Sequence, residues 1–395
     1  MLNKNYTLLW FGQLVSQIGN RLYLMALAWY FVAILKDNNA LFLLFIISSL
    51  PSLLLGVLAG PLVERWNKKY ILIGCDIISG ILTGLLAFLV YKESASTWLI
   101  YAICFALNSV NLLFSPSVNS MMPAIITKDQ LQKGMSYMKM ITFLGQILGA
   151  ALGGVFVALI GVYFTILLNS VSFFISAFTE IFIKYKDTVR IISKSYLKDM
   201  KDGLNYVKSN KLVRRVLMIT LGSNLFLPAL IVLLPIIIKE KMALDAFHYG
   251  IADAMLPIGA VIMAVWLSQH KYNIRPLKVL AIGIMGTAFC FFGVSLVHYF
   301  AFALAMVLLY GCFTNYVNIQ VVTYFIGNVD AEYRGRFFSI LESFSYATIS
   351  LSYVIASLTT YAFDPYLALA INGLGLASFA IIALFWNKKQ LNHIS

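Results

Sequence analysis

Five ionisable side chains, Arg21, Asp76, Glu180, Asp253 and Glu342, sit where the surrounding sequence is almost wholly apolar. A carboxyl group in a low-dielectric site gains and loses a proton more readily near neutral pH, so the four acids are candidate proton carriers. A guanidinium stays protonated and holds an anion instead. Asp253 falls about two helical turns in from the outer end of its apolar segment, and Glu342 about two turns in from the cytoplasmic end of its own. They are the proton-coupling candidates, and each is either a substrate or proton site or one member of a buried ion pair. Ser345, Tyr346 and Tyr353 share the face of Glu342 and form a strip suited to a cavity wall. Asp76 and Glu180 lie nearer the ends of their segments and are expected to brace loops or pair with basic neighbours. Arg21 is expected either to bind an anionic part of a substrate or to set the protonation of Asp253 or Glu342.

The neutral polar residues around these charges repeat at helical spacing. Gln13, Ser16, Gln17, Asn20 and Arg21 fall on one stripe roughly 140° wide when each residue turns about 100°. Further stripes are Asn108, Asn111, Ser115 and Asn119; Thr220 and Asn224; and Tyr310, Thr314 and Asn318. Any one of them alone could serve interhelical hydrogen bonding. Their recurrence on every third apolar segment predicts a central hydrated cavity that binds a small amphipathic substrate. Other chemistry has little support. There is no Gly-x-x-x-x-Gly-Lys-Ser/Thr loop, and His248, His270, His298 and His393 are scattered in turns and the tail. Cys75, Cys104, Cys290 and Cys312 form no CxxC pair and are expected to be buried apolar residues. Neither an enzyme, a metal site nor a cofactor is expected.

The elements that must hold these residues are helices in a membrane. Of 395 residues, 61% are hydrophobic and 11% charged, and the mean hydropathy is +0.86, a balance foreign to soluble domains. Apolar segments long enough to cross about 30 Å of hydrocarbon recur at 6–34, 40–63, 70–91, 97–122, 135–160, 162–185, 213–238, 247–269, 276–297, 299–327, 336–361 and 365–386. The first is too long, and too polar along one side, for a cleavable leader. Segments of alternating hydropathy, which a membrane β-barrel needs, are absent. The fold class is therefore all-α, with twelve transmembrane helices.

The net charge of +13 is explained by where the cations stand. All Lys and Arg except Arg21, Lys36, Lys92, Lys239 and Lys241 lie in the terminal tails and the even-numbered turns or within about four residues of those turns. By the positive-inside rule those segments and both termini are cytoplasmic, and a nucleic-acid partner is unnecessary. Ten Lys or Arg crowd the segment from Lys184 to Arg215. It divides the chain into a bundle over 1–185, a linker over 186–211, either an amphipathic surface helix or a solvated strand of chain, and a bundle over 212–395. Two six-helix bundles in a pseudo-symmetric pair imply an internal duplication.

Between the second and third segments the chain reads GPLVERWNKKYIL, with Gly60, Glu64, Arg65, Lys68 and Lys69. This resembles the loop motif of the major facilitator superfamily, Gly-x-x-x-Asp-Arg-x-Gly-Arg-Arg/Lys, with Glu64 for the acid and Asn67 for the second glycine. Physically, Gly60 permits close helix approach, and Arg65, Lys68 and Lys69 can anchor the loop at an anionic leaflet. The resemblance implies that Glu64 faces the start of the eleventh helix, YRGRFF, as a gating latch. The corresponding turn of the second half, SQHKYNIRPLK, lacks the glycine and the acid, so the latch is one-sided.

More of the chain, LLWFGQLVSQIGNRLYLMALAWY, MPAIITKDQLQKG and VDAEYRGRFFSI, is similar to the macrolide-efflux branch of drug–proton antiporters, which also includes siderophore exporters and lysophospholipid transporters. GQILGAALGG, with Gly145, Gly149, Gly153 and Gly154, resembles an exporter motif but has Ala150 in place of proline. Small-residue helix packing explains the same glycines. Where many relatives carry an acid, this chain has Asn20, so the centre of the first helix is cationic and favours anionic or zwitterionic substrates. The resemblance implies a monomeric cell-membrane exporter that exchanges protons for an amphipathic, drug-like molecule. The alternatives are a lipid or lysophospholipid flippase, a siderophore exporter, and a transport-dead sensor.

Overall fold

A computed structural model describes residues 3–92, 96–185, 207, 210–270, 275–330 and 333–391. The described residues contain helices and no strand. In chain order the helices are α1 (Lys4–Trp29), α2 (Asn38–Arg65), α3 (Lys68–Tyr91), α4 (Thr97–Ile125), α5 (131–160), α6 (162–181), α7 (Lys211–Ser223), α8 (Ala229–Ile236), α9 (Ala246–Gln269), α10 (Pro276–Leu296), α11 (Phe300–Asn328), α12 (Arg334–Ala362) and α13 (Pro365–Leu391). The predicted linker helix falls outside the described residues.

Local chemistry starts and stops these helices. The side chains of Asn3, Asp37, Asn67 and Asn210 accept from the amides of Tyr6, Ala40, Lys69 and Val213 at 2.9–3.1 Å, satisfying donors that a helix start leaves free. α5 and α6 run on from one another except at Gly161, whose φ of 81° and ψ of 170° suit glycine alone. The single predicted segment 213–238 is in fact broken: α7 stops at Ser223, a run of turns follows, and α8 begins after Pro228, which has no N–H to continue the ladder. With α7 and α8 sharing one position, the described helices fill the twelve expected ones.

Eight stretches, including the whole of Leu131–Ile181, are long and apolar enough to cross a membrane. α1 and α12 are not among them, because the polar residues that carry the chemistry lower their hydropathy.

The chain forms two compact units. One comprises Met1–Ser193 with Leu244–Ala254, the other Lys194–Ala243 with Met255–Ser395. In the first, a core of Tyr6, Leu9, Leu72, Met121, Met122 and Ile183 seals one end, and the Tyr6 hydroxyl donates to the Gly134 carbonyl at 2.9 Å. The second packs Phe291, Phe325 and Phe337. Both units use the same backbone device. α1 runs into a π turn, Tyr30–Ile34, and α8 into another, Ile237–Lys241; each is followed within two residues by a left-handed residue, Lys36 at φ 53° and Ala243 at φ 54°. A recurring irregularity of this kind at matching positions is the mark of a duplicated fold.

Candidate functional site

In the first unit the stripe on α1 is pressed against the glycines of α5. A Cβ on Gly145 would lie 2.7 Å from Cβ of Gln17, and one on Gly149 would lie 2.5 Å from Cβ of Arg21 and 2.7 Å from the carbonyl oxygen of Ile18. Gly153 faces Met25 at 3.3 Å. Gly154 meets the first turns of α9 instead, where its Cβ would stand 2.7 Å from the carbonyl of Ala246 and 2.9 Å from Cα of Gly250. Each glycine of the motif therefore lets a backbone approach that any side chain would push away.

That approach delivers Asp253 to Arg21. The guanidinium Nη2 donates to Oδ1 of Asp253, a pair 232 residues apart in sequence. Asp253 is 4% exposed, and the side chain of Arg21 is 19% exposed. The Nε–H of Arg21 has no protein partner among the described residues. Trp29 stacks on Tyr249 with centroids 6.0 Å apart and holds the same turns of α9 to α1. Asp253 thus sits in a buried ion pair, with one guanidinium donor uncommitted.

The stripe on α1 also borders two adjoining cavities, neither of them lined by Arg21 or Asp253. One, of about 250 Å³, is lined by Ser16, Gln17, Asn20, Asp76, Asn111, Phe114, Ser115 and Phe173. The other, of about 210 Å³, is lined by Asn20, Tyr23, Leu24, Leu27, Leu44, Ser48, Thr83, Leu107, Asn108, Asn111, Asn169 and Phe173. The walls are mainly apolar with a few amides and hydroxyls, as small-molecule sites usually are. Gln17, Asn20, Asn108, Asn111 and Ser115 are thus brought together. Gln13 is buried nearby with its Nε2 unpartnered, while Asn119 is exposed near the end of α4 and lines neither cavity. Sequence reasoning missed Ser48, Thr83, Asn169 and Phe173. Asn169 was visible as an amide inside an apolar segment; Phe173 carries no such signal.

Asp76 and Glu180 do not brace loops or pair with bases. They are 1% and 0% exposed, and among the described residues neither has an ion-pair partner; Glu180 has no hydrogen-bond partner on either carboxylate oxygen. The reason is packing: α3 and α6 turn both acids inward, while the nearest bases on α3 are engaged elsewhere.

Those bases belong to the loop motif. Lys68 is buried, and Lys69 donates from Nζ to the carbonyl of Ile181 at 2.7 Å, capping the end of α6. The side chains of Glu64 and Arg65 and the surroundings of Gly60 lie outside what is described.

In the second unit the predicted stripes mostly brace helices. The Tyr310 hydroxyl donates to the Leu227 carbonyl at 2.8 Å, bridging α11 to the break between α7 and α8. Thr314 bonds back to the Tyr310 carbonyl at 2.8 Å, and Asn224 caps α7. Asn318 and Glu342 are exposed. Asn315, which the stripe did not include, donates to the Ala260 carbonyl at 2.5 Å. All four cysteines are free and buried.

The profile of the transmembrane secretion effector family matches residues 1–393. Macrolide efflux protein A of Streptococcus pyogenes is 22% identical over 90% of this chain and 89% of its own. The staphyloferrin A transporter of Staphylococcus aureus is 23% identical over 97% of this chain and 94% of its own. Among solved structures, the nucleoside transporter NupG superposes with a TM-score of 0.70 at 13% identity over 98% of this chain and 99% of its own. A bacterial homologue of the human lysosomal transporter Spinster superposes with 0.71 at 11% identity over 96% and 94%.

Proposed function

The chain belongs to the transmembrane secretion effector family of major facilitator transporters, and from that premise we propose that it exports an amphipathic small molecule in exchange for protons. It is a multi-pass membrane transporter; substrate, coupling and direction are the reading argued here. The observation that carries it is the buried Arg21–Asp253 pair at α1, the helix whose polar stripe borders cavities walled by amides and aromatic rings. Arg21 keeps its charge at all physiological pH values. Without substrate, Asp253 neutralises it. A proton, or a cationic group of a zwitterionic substrate, takes the Asp253 carboxylate, while the guanidinium holds the anionic group of that substrate. Substrate entering expels the proton, and a proton entering expels the substrate. Substrate and proton thus compete for one carboxylate, which is the logic of exchange. Glu342, exposed on α12 beside Tyr346, is the second coupling candidate. Both termini on the cytoplasmic side and a monomeric state complete the proposal.

The macrolide-efflux relative supports drug export. A siderophore substrate is a second reading, supported by the staphyloferrin A relative and by the cationic centre of α1, which suits an anionic ligand. The test uses proteoliposomes loaded with a pH-sensitive dye and given a radiolabelled macrolide or a carboxylate siderophore. Wild type is expected to couple substrate movement to proton flux. Arg21→Ala abolishes it, and Asp253→Asn makes movement independent of the pH gradient. Unchanged proton-coupled flux in Asp253→Asn and Glu342→Gln would overturn the coupling assignment, and full activity in Arg21→Ala and Arg21→Lys would overturn the role of the arginine.

A further inference from the structure

Of the two cavities along α1, the one of about 210 Å³ has no Asp, Glu, Lys, Arg or His among its lining residues. Arg21 and Asp253 lie outside it, and Asp76 lines only its neighbour. Its polar wall is made of neutral side chains from five helices, Asn20 on α1, Ser48 on α2, Thr83 on α3, Asn108 on α4 and Asn169 on α6. Leu24, Leu27, Leu44, Leu107 and Phe173 supply the apolar part.

Two of these polar side chains are buried with an atom unspent. Asn169 accepts from the Ser172 hydroxyl at 3.1 Å through Oδ1, and a Cβ on Gly19 would stand 2.5 Å from that same oxygen. The close approach of α1 thus fixes the amide and leaves its Nδ2 with no protein partner among the described residues. Thr165, Thr220, Thr287 and Thr314 give their hydroxyls to a carbonyl three or four residues back, the usual outlet within a helix. The Thr83 hydroxyl, fully buried, has no partner at all among the described residues. Asn108 spends Nδ2 on the Cys104 carbonyl at 2.8 Å, which leaves Oδ1 as an acceptor. Unmet buried donors are costly, so two of them on one cavity wall mark a place built for the polar atoms of a ligand. Water would serve Asn169 and Thr83 but not the leucines and Phe173, since a buried water needs two to four polar partners. An apolar cavity of about 150 Å³ takes up benzene, so this larger one has room for a ring with a polar substituent.

We propose that this cavity binds an uncharged ring of the exported molecule through a secondary amide attached to it. The amide carbonyl accepts from Asn169 Nδ2 and from the Thr83 hydroxyl, and the amide N–H donates to Asn108 Oδ1. The ring lies among the leucines and Phe173. Asn20, Asn111 and Phe173 line both cavities, so the rest of the molecule continues from here into the 250 Å³ cavity. That the ligand is exported rests on the reading above; that the cavity holds a neutral amide does not.

The test is equilibrium binding of radiolabelled acetanilide to the full-length protein in lipid nanodiscs, with empty nanodiscs as the blank. Unlabelled N-methylacetanilide, which lacks the N–H, and phenylacetate, a charged molecule of like size, are the competitors. Wild type is expected to bind acetanilide about tenfold more tightly than either. Asn169→Leu and Thr83→Val should each weaken that binding about tenfold, and Thr83→Ser should keep it. No binding above the blank, equal affinity for the three compounds, or binding unchanged in both Asn169→Leu and Thr83→Val would overturn the proposal. Wild-type data decide the first two outcomes even if the variants fail to fold. Any of these results beside intact proton-coupled flux leaves the export reading standing. Selective acetanilide binding in a protein that moves neither the macrolide nor the siderophore supports the site and sinks the export reading instead.

Discussion

The two units share a backbone plan and use their polar side chains differently. In the second, Tyr310 and Asn315 donate to carbonyls of neighbouring elements, and the buried atoms left unpartnered on Ser352, Tyr366 and Asn372 are neutral. In the first, Asp76, Glu180 and Arg21 all leave an ionisable side chain's atom buried without a partner. An unmet buried polar atom costs about 1–3 kcal/mol, and more when charged. Polar residues of the second unit mostly brace helices, whereas the first also buries ionisable ones. The two units thus repeat one backbone device and differ in what they bury.

That contrast can be broken most forcefully at its ion pair. Arg21→Ala strands Asp253 in an apolar setting and should lower stability on the order of 3–5 kcal/mol, with Arg21→Ala/Asp253→Ala regaining most of it; thermal unfolding in detergent reads both. Next, Gly149→Leu forces α1 away from α5 and should destabilise by about 1–3 kcal/mol while abolishing substrate binding. The same substitution at Gly56, where a Cβ meets nothing within 4 Å, should be far milder. In the second unit Tyr310→Phe removes one hydrogen bond and should cost about 1 kcal/mol with transport largely kept. A loss of transport there larger than the loss of stability would show that the second unit carries chemistry too. Lys69→Met should cost roughly 0.3–1 kcal/mol through the end of α6, with little salt dependence if the carbonyl contact rather than the lipid surface is what it serves.

The smallest effect concerns Asp245, which caps α9 and accepts from His248 at 2.6 Å. That hydrogen bond holds its carboxyl below the ordinary value. The contribution is therefore present above the ordinary carboxylate value and lost as pH falls through the lowered one. Asp245→Asn should flatten the acid limb of a stability profile slightly, because the group is largely exposed.

Much of the site was legible in advance. The stripe on α1 was visible because helical periodicity is written into neighbouring residues, and the glycines of α5 announced a close approach. The roles of Asp76 and Glu180 were misjudged, because proximity to a segment's end does not tell which way a side chain turns. Segment 213–238 hid its break, since hydropathy averages over a turn that keeps apolar composition. Phe173 could not have been singled out at all, being one phenylalanine among 29.

The sequence by itself determined that the chain is helical, lives in a membrane and belongs among major facilitator transporters. Each of these follows from local composition, spacing or motif. The partner of Arg21, the inward turn of Asp76 and Glu180 and the cavities along α1 were decided only by tertiary structure. Those features depend on which helix faces meet, and residues 232 positions apart acquire a relation only when glycines let their backbones close.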